Sequence, residues 1–152
     1  MRLIDELSYG ESGQVPPRRS VRPGYGWRTL PVRIAGAGLL AAMAWIHVHL
    51  FGLGYGDVSV IGQLFLLNGV LGSLAAALLL LAPRRWLALA CLAGGVLLAG
   101  TLGALLLTLT VGLFGFTETT GAPLAGWTLG VESAGAILLL IAAAVLRGRA
   151  PH

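Results

Sequence analysis

Long apolar runs, separated by short polar segments, form the main pattern of this chain. They cover residues 34–51, 60–82, 86–111 and 124–146. The hydrocarbon layer of a bilayer is about 30 Å thick, and about 20 residues of α-helix cross it. Lipid offers backbone N–H and C=O groups no hydrogen-bond partner, which favours helices inside this layer. The pattern therefore predicts an all-α, polytopic membrane protein with four transmembrane helices.

The connections between these runs are short. Helices joined by short loops usually pack antiparallel, so we expect an up-down four-helix bundle over residues 34–146. Residues 1–33 are rich in Arg, Pro and Gly, and we expect them to form a disordered cytoplasmic tail, with a second, short tail at 147–152. The arginines of the first tail should attract the anionic lipids of the cytoplasmic leaflet.

The composition supports a membrane protein, and the charges indicate its orientation. Hydrophobic side chains make up 57% of the chain, which is more than a soluble domain of 152 residues would bury. All ten basic residues are arginines, and none lies in segments 52–59 and 112–123. The positive-inside rule then predicts that both termini and the turn at Arg84 and Arg85 are cytoplasmic. This topology explains the net charge of +4, so no nucleic-acid partner is expected.

Glu132 is the most informative residue of the apolar runs. It lies roughly 12 Å along the fourth helix, near the middle of the membrane, where a carboxylate costs at least about 2.5 kcal/mol. It must therefore face protein or water, or be protonated. Other polar side chains fall at similar or shallower depths, which predicts an outward-opening polar pocket that ends at Glu132. The candidate ligand or proton site consists of Glu132, His47, His49, Asn68, Gln63, Thr101, Thr108 and Asp57, with Glu118 beside Asp57 at the outer surface.

The two histidines of the first run are His47 and His49, whose side chains point about 200° apart on a helix. One should face the bundle and the other the headgroups, and the sequence does not decide which. Haem or metal binding is a weak interpretation, because a second set of ligands is missing and the third histidine is terminal His152. Protonation chemistry shared with Glu132 is the better functional interpretation. The single Cys91 excludes a mechanism that needs a cysteine pair, and no cofactor is expected.

The same polar residues could have a structural role instead of a functional one. Asn68, Glu132 and the threonines could hydrogen-bond between helices and fix their packing. The sequence favours this role for Asn and Thr and leaves Glu132 open between the two. Gly126, Gly130 and Ala134 recur at four-residue intervals, a pattern of close helix packing. We expect that packing inside the bundle, with contact between copies of the chain as the alternative.

Two stretches carry a resemblance to a known group of proteins. HVHLFGLGYGDVSVIGQLFLLNGVLG at 47–72 and TVGLFGF at 110–116 resemble small uncharacterised integral membrane proteins of actinobacteria. The size and four-span layout are also similar to those of DoxX-like proteins. The resemblance implies a bundle in a bacterial plasma membrane, and it implies no biochemical activity. The use of arginine without lysine is typical of GC-rich bacterial genomes and agrees with this origin.

The sequence contains no phosphate-binding loop, nucleophile elbow or zinc-protease motif, so an enzyme of a familiar soluble class is not expected. We expect an accessory or ligand-binding subunit of a membrane assembly. The alternative is a proton-linked carrier, or a redox component that contacts a quinone-like molecule, with Glu132 and one histidine exchanging protons. A structural protein that oligomerises through the Gly126 to Ala134 face is a third class.

Overall fold

The structure of the protein, a computed structural model, describes residues 29–148. In this range the chain forms four long helices. They are α1 (Leu30–Gly52), α2 (Ile61–Leu81), α3 (Leu87–Thr110) and α4 (Ala125–Arg147). Each is long and apolar enough to cross a membrane. The prediction of an all-α four-helix membrane bundle is confirmed, and the chain is a multi-pass membrane protein.

The helix ends follow from local chemistry. α1 begins at Leu30 rather than at residue 34, and Pro31 fits its first turn, where the missing N–H would have no helical partner in any case. Pro83 follows α2 and cannot continue it, and a 3₁₀ turn, Arg84–Trp86, leads into α3. The first tail predicted from the sequence therefore includes a turn of helix, and the rest of both tails, 1–28 and 149–152, lies outside the described residues.

Glycines set the contact between α1 and α2. A Cβ atom at Gly72 would lie 2.9 Å from the Met43 side chain, and one at Gly69 would be closer still to α1. Small residues at such positions let two helix backbones approach each other. Gly36 near the start of α1 lies against Leu79 near the end of α2, so these helices are antiparallel.

The α3–α4 pair is built in the same way. A Cβ atom at Gly95 would lie 2.9 Å from the side chain of Leu140 and 3.2 Å from its backbone nitrogen, while Gly135 of α4 lies against Leu98 of α3. α1 also packs against α4, whereas no Cα atoms of α2 and α4 come within 8 Å of each other in the described range, so these two helices lie diagonally. The helices thus form a closed ring in chain order. α2 and α3 contact each other less extensively than the other sequential pairs do.

The two ends of the bundle differ in their packing. We call the end that holds segments 53–60 and 111–124 the loop end, and the opposite one, with the α2–α3 turn, the tail end. The half of the bundle near the tail end contains a dense core, in which Leu40, Leu79, Cys91 and Leu139 are fully buried. The half near the loop end is not filled in this way, and it holds the cavity described below.

Arg33 joins α1 to the C-terminus of α2. Its guanidinium donates hydrogen bonds to the carbonyl oxygens of Leu79 (3.0 Å), Leu80 (2.9 Å) and Ala82 (2.7 Å). The last carbonyls of a helix have no partner within it, and a cation also interacts favourably with the helix dipole there. One arginine therefore satisfies three acceptors at the tail end.

The small-residue face of α4 was expected to pack inside the bundle, but it lies on the outside. Gly126, Gly130 and Ala134 are exposed on the outside of the described bundle, and a Cβ atom at either glycine would contact nothing within 4 Å. The expectation that this face packs inside the bundle is therefore wrong. The glycines at internal helix contacts are others, among them Gly72, Gly95 and Gly135.

Candidate functional site

A cavity of about 370 Å³ lies among the four helices in the half near the loop end. Most of its wall is apolar, with Leu64 and Phe65 from α2 and Leu97 and Ala104 from α3. All four helices and both loop-end segments contribute to it. The polar residues of the wall are His47, Tyr55, Asn68, Thr101, Thr108, Glu118, Thr128 and Glu132.

Glu132 is the central group of this wall. Its side chain is fully buried, with 0% exposure, and neither carboxyl oxygen has a hydrogen-bond partner among the described residues. The neighbouring Thr101 hydroxyl donates instead to the Leu98 carbonyl of its own helix, at 3.0 Å. An ionised carboxyl without partners is costly in such surroundings, so the neutral acid is favoured. The structure therefore leaves the hydrogen-bonding capacity of Glu132 available to an occupant of the cavity.

His47 is the histidine that faces the cavity. It is 6% exposed, and its Nδ1 lies 2.9 Å from the backbone oxygen of Met43. A carbonyl oxygen only accepts, so Nδ1 carries the hydrogen and, in the neutral ring, Nε2 is an acceptor. The ring also packs at a tilt on Phe65, with centroids 5.1 Å apart. His47 thus offers the cavity an aromatic ring and a hydrogen-bond acceptor.

The hydroxyl groups of the three threonines in the wall already donate hydrogen bonds to the backbone. The hydroxyls of Thr101, Thr108 and Thr128 each donate to a backbone carbonyl three or four residues earlier in the chain, at 3.0, 2.7 and 2.9 Å. A hydroxyl has one hydrogen and two lone pairs. Each threonine can therefore only accept a hydrogen bond from a molecule in the cavity.

A hydrogen bond between the two loops closes part of the loop end. Tyr55 donates from its hydroxyl to Glu118 Oε2 at 2.6 Å, and its ring stacks on Phe65 with centroids 5.1 Å apart. Glu118 is placed by its own backbone N–H, which donates to the Thr108 carbonyl at 2.9 Å. Burial and the hydrogen bond to the Glu118 carboxyl raise the pKa of Tyr55 to about 12. Tyr55 therefore stays a neutral donor across the physiological range.

Comparison with known proteins adds no precedent for this arrangement. No family model, curated protein or solved structure matches the chain. Within residues 29–148 there is also no group of three or more His, Cys, Asp or Glu side chains placed to hold a metal ion. The chemistry of the site therefore has to be inferred from the cavity wall itself.

The structure brings together some of the residues predicted from the sequence. Glu132, His47, Asn68, Thr101 and Thr108 all line the cavity, and so does Glu118. Tyr55 and Thr128 also line the cavity, although neither was among the predicted site residues. Of these two, only Thr128 could have been found from the sequence, because it shares a helix face with Glu132. Tyr55 belongs to a loop, where no helical periodicity indicates which way a side chain points.

Three predicted residues lie outside the cavity. Gln63 and Asp57 are exposed and contribute nothing to its wall. His49 also faces away from it and stacks on Trp45, with ring centroids 4.9 Å apart and 9° between the planes. The sequence did not decide which of the two histidines faces away from the bundle interior, and in the structure it is His49.

The cavity is not sealed along its length. Val96, in the middle of α3, belongs to its wall and is 57% exposed, and Gly100 one turn further is exposed as well. Pro123 is an exposed wall residue at the loop end. The wall thus includes residues exposed at the surface both at the loop end and midway along α3. The exposed wall residues of α3 lie at the depth of the apolar helices.

Proposed function

We propose that the protein is a non-enzymatic ligand-binding membrane protein whose cavity holds a small, largely apolar molecule through Glu132. The observation that carries this proposal is a fully buried carboxyl group with no partner in the described range, in the wall of a cavity of about 370 Å³. Small-molecule sites typically measure about 300–1,000 Å³ and combine apolar walls with a few polar groups. A purely structural carboxyl would be expected to hydrogen-bond a neighbouring helix.

The orientation and setting are part of the proposal. We place the loop end, with Asp57 and Glu118, outside a bacterial plasma membrane, and the tail end, with Arg84, Arg85 and Arg147, in the cytoplasm. The protein would then serve as an accessory subunit that presents its ligand to a larger membrane assembly. The exposed Gly126, Gly130 and Ala134 face of α4 suits close contact with another membrane helix.

The test uses a defined neutral probe, 2-naphthylmethanol, and two glycines of α3. Gly100 lines the cavity and Gly103 does not, and a Cβ atom at either would meet open space. Gly100→Phe should fill the cavity, while Gly103→Phe adds the same side chain elsewhere. We expect saturable probe binding to the wild type and to Gly103→Phe in nanodiscs, corrected with empty nanodiscs. Binding that Gly100→Phe leaves unchanged would refute the proposal.

A proton-linked carrier is the second candidate, since Glu132 and His47 line one cavity. A carrier must open its site to both sides of the membrane in turn, and the dense core around Leu40, Leu79 and Leu139 blocks the tail-end side. A carrier would therefore need repacking of that core, which a binding protein does not. Uptake of the probe into proteoliposomes, driven by a pH gradient and lost in Glu132→Gln, would favour the carrier.

A further inference from the structure

We infer that the ligand is a lipophilic amine, held as an ammonium ion by the carboxylate of Glu132. The inference rests on the proposed function and gives the chemical class of its ligand. It is drawn from three features of the cavity: the balance of hydrogen-bond donors and acceptors, the charges of the wall, and the exposed wall residues along α3.

The polar wall is rich in acceptors and poor in donors. Nε2 of His47, the hydroxyl oxygens of the three threonines and the Glu118 carboxyl all accept. The remaining hydroxyl of the described wall, on Tyr55, already donates to Glu118. Among the described wall residues, only the amide of Asn68 and the acid form of Glu132 remain as side-chain donors. A ligand that brings its own N–H donors fits this wall better than one that brings carbonyl or carboxylate oxygens.

The charges of the wall favour the same class of ligand. The described wall contains two carboxyl groups, Glu118 and Glu132, and no arginine or lysine. An anionic ligand would find no cationic partner there. Aromatic rings of His47, Tyr55, Phe65 and Phe116 also line the cavity, and the face of such a ring attracts an ammonium ion.

The titratable groups around Glu132 are few and allow a direct proton transfer. α1 contributes His47 and the loops contribute Tyr55 and Glu118, whereas α2 and α3 contribute only neutral groups to the described wall. A neutral amine arriving from the lipid beside the exposed wall residues Val96 and Gly100 would take the proton of the Glu132 acid. The O–H bond breaks and an N–H bond forms, giving an ammonium–carboxylate pair. No net charge enters the membrane in this step, so neither group has to cross the lipid as an unpaired ion.

Three probes with one ring system test the inference: 2-naphthylmethylamine, 2-naphthylmethanol and 2-naphthoate. Their binding to the full-length protein in nanodiscs is measured and corrected with empty nanodiscs. We expect the amine to bind at least about tenfold more tightly than the alcohol, and the naphthoate to show no saturable binding. Glu132→Gln should remove the preference for the amine and retain the alcohol, whose binding shows that the variant is folded. Asp57→Asn is the matched control, because it removes an exposed carboxylate outside the cavity and should keep the preference.

The outcomes separate this inference from the proposed function. Equal affinity for amine and alcohol in the wild type would overturn the amine inference and leave the proposed function standing. Tighter binding of naphthoate would overturn it too, as would a preference that persists in Glu132→Gln and disappears in Glu118→Gln. If none of the probes binds saturably, or Gly100→Phe leaves alcohol binding unchanged, the proposed function fails and the inference fails with it.

Discussion

Single residues of this protein take their roles from which side of a helix they occupy. His47 and His49 have the same chemistry and nearly the same depth, yet one lies in the cavity wall and the other stacks on an exposed tryptophan. The difference follows from the angle of about 200° between residues two apart on a helix. Of the two histidines, only His47 therefore lines the same cavity as Glu132.

The hydrogen bond between Tyr55 and Glu118 gives a prediction at this scale. Tyr55→Phe keeps the ring that stacks on Phe65 and removes the O–H donor. We expect a loss of about 1 kcal/mol in the free energy of unfolding in detergent, because a typical intramolecular hydrogen bond contributes about that much to stability. Tyr25→Phe, outside the described residues, serves as a comparison for the substitution itself. Equal stability of Tyr55→Phe and wild type would show that the bond does not hold the loops together.

The same tyrosine predicts a pH dependence. Its pKa is raised from 10.0 to about 12, because burial and the Glu118 carboxyl both favour the neutral phenol. The stabilisation from this group is therefore present below pH 10 and is lost as the pH rises through about 12. The ultraviolet titration of wild type minus that of Tyr55→Phe should show one phenol that ionises near pH 12. A difference curve centred at the ordinary value of 10.0 would contradict the assignment.

At the scale of helices and loops, the structure depends on a few close backbone approaches. Gly62, in the first turn of α2, lies so near the preceding loop that a Cβ atom would be 2.5 Å from the Gly56 carbonyl oxygen. Backbone atoms cannot rotate away as a side chain does. Gly62→Ala should therefore destabilise the protein by about 1–3 kcal/mol. Gly103→Ala, where the Cβ meets open space, should be neutral or slightly stabilising in the same unfolding assay.

Arg33 provides a second prediction about the elements. Removing its guanidinium by Arg33→Met leaves the carbonyls of Leu79, Leu80 and Ala82 without that donor. We expect a loss of about 1–3 kcal/mol in the free energy of unfolding and increased hydrogen exchange at the end of α2. Arg33→Lys should recover part of the loss, because one ammonium can reach some of these carbonyls. Unchanged exchange at the end of α2 in Arg33→Met would show that the cap is not needed.

The predicted residues that line the cavity and those that lie outside it differ in a physical way. Glu132 could be found from the sequence because a carboxyl in mid-membrane is costly and must be sheltered. Gln63 was grouped with Asn68 by depth alone, but five residues along a helix rotate the side chain by about 140°, and only Asn68 lies in the wall. Tyr55 lies in a loop without periodicity. The Gly126 to Ala134 pattern predicts a face for close packing but does not say whether the partner is inside the bundle.

For the whole molecule, the main prediction concerns orientation. With Cys91→Ser as background, single cysteines at Ser59 and Gly148 mark the loop end and the tail end. A membrane-impermeant maleimide added to intact cells should label Ser59→Cys, and it should label Gly148→Cys only after lysis, because the positive-inside rule favours a cytoplasmic location for the arginines of the tail end. The reverse labelling pattern would place the cavity opening at the loop end inside the cell.

The bundle has a dense core toward the tail end and a cavity, lined by the unpartnered carboxyl of Glu132, toward the loop end. The tail end supplies stability through fully buried leucines. Toward the loop end the helices leave a cavity beside Glu132. This division explains how so short a chain can form both a packed bundle and an internal cavity.

The proton on Glu132 is the most direct test of this account. Infrared difference spectra of the protein in nanodiscs, with Glu132→Gln to assign the bands, report the protonated carboxyl and the carboxylate separately. Addition of 2-naphthylmethylamine should remove a protonated-acid band and produce carboxylate bands, and Glu132→Gln should show neither change. A Glu132 acid band that 2-naphthylmethylamine leaves in place, or a carboxylate present before it is added, would contradict the account.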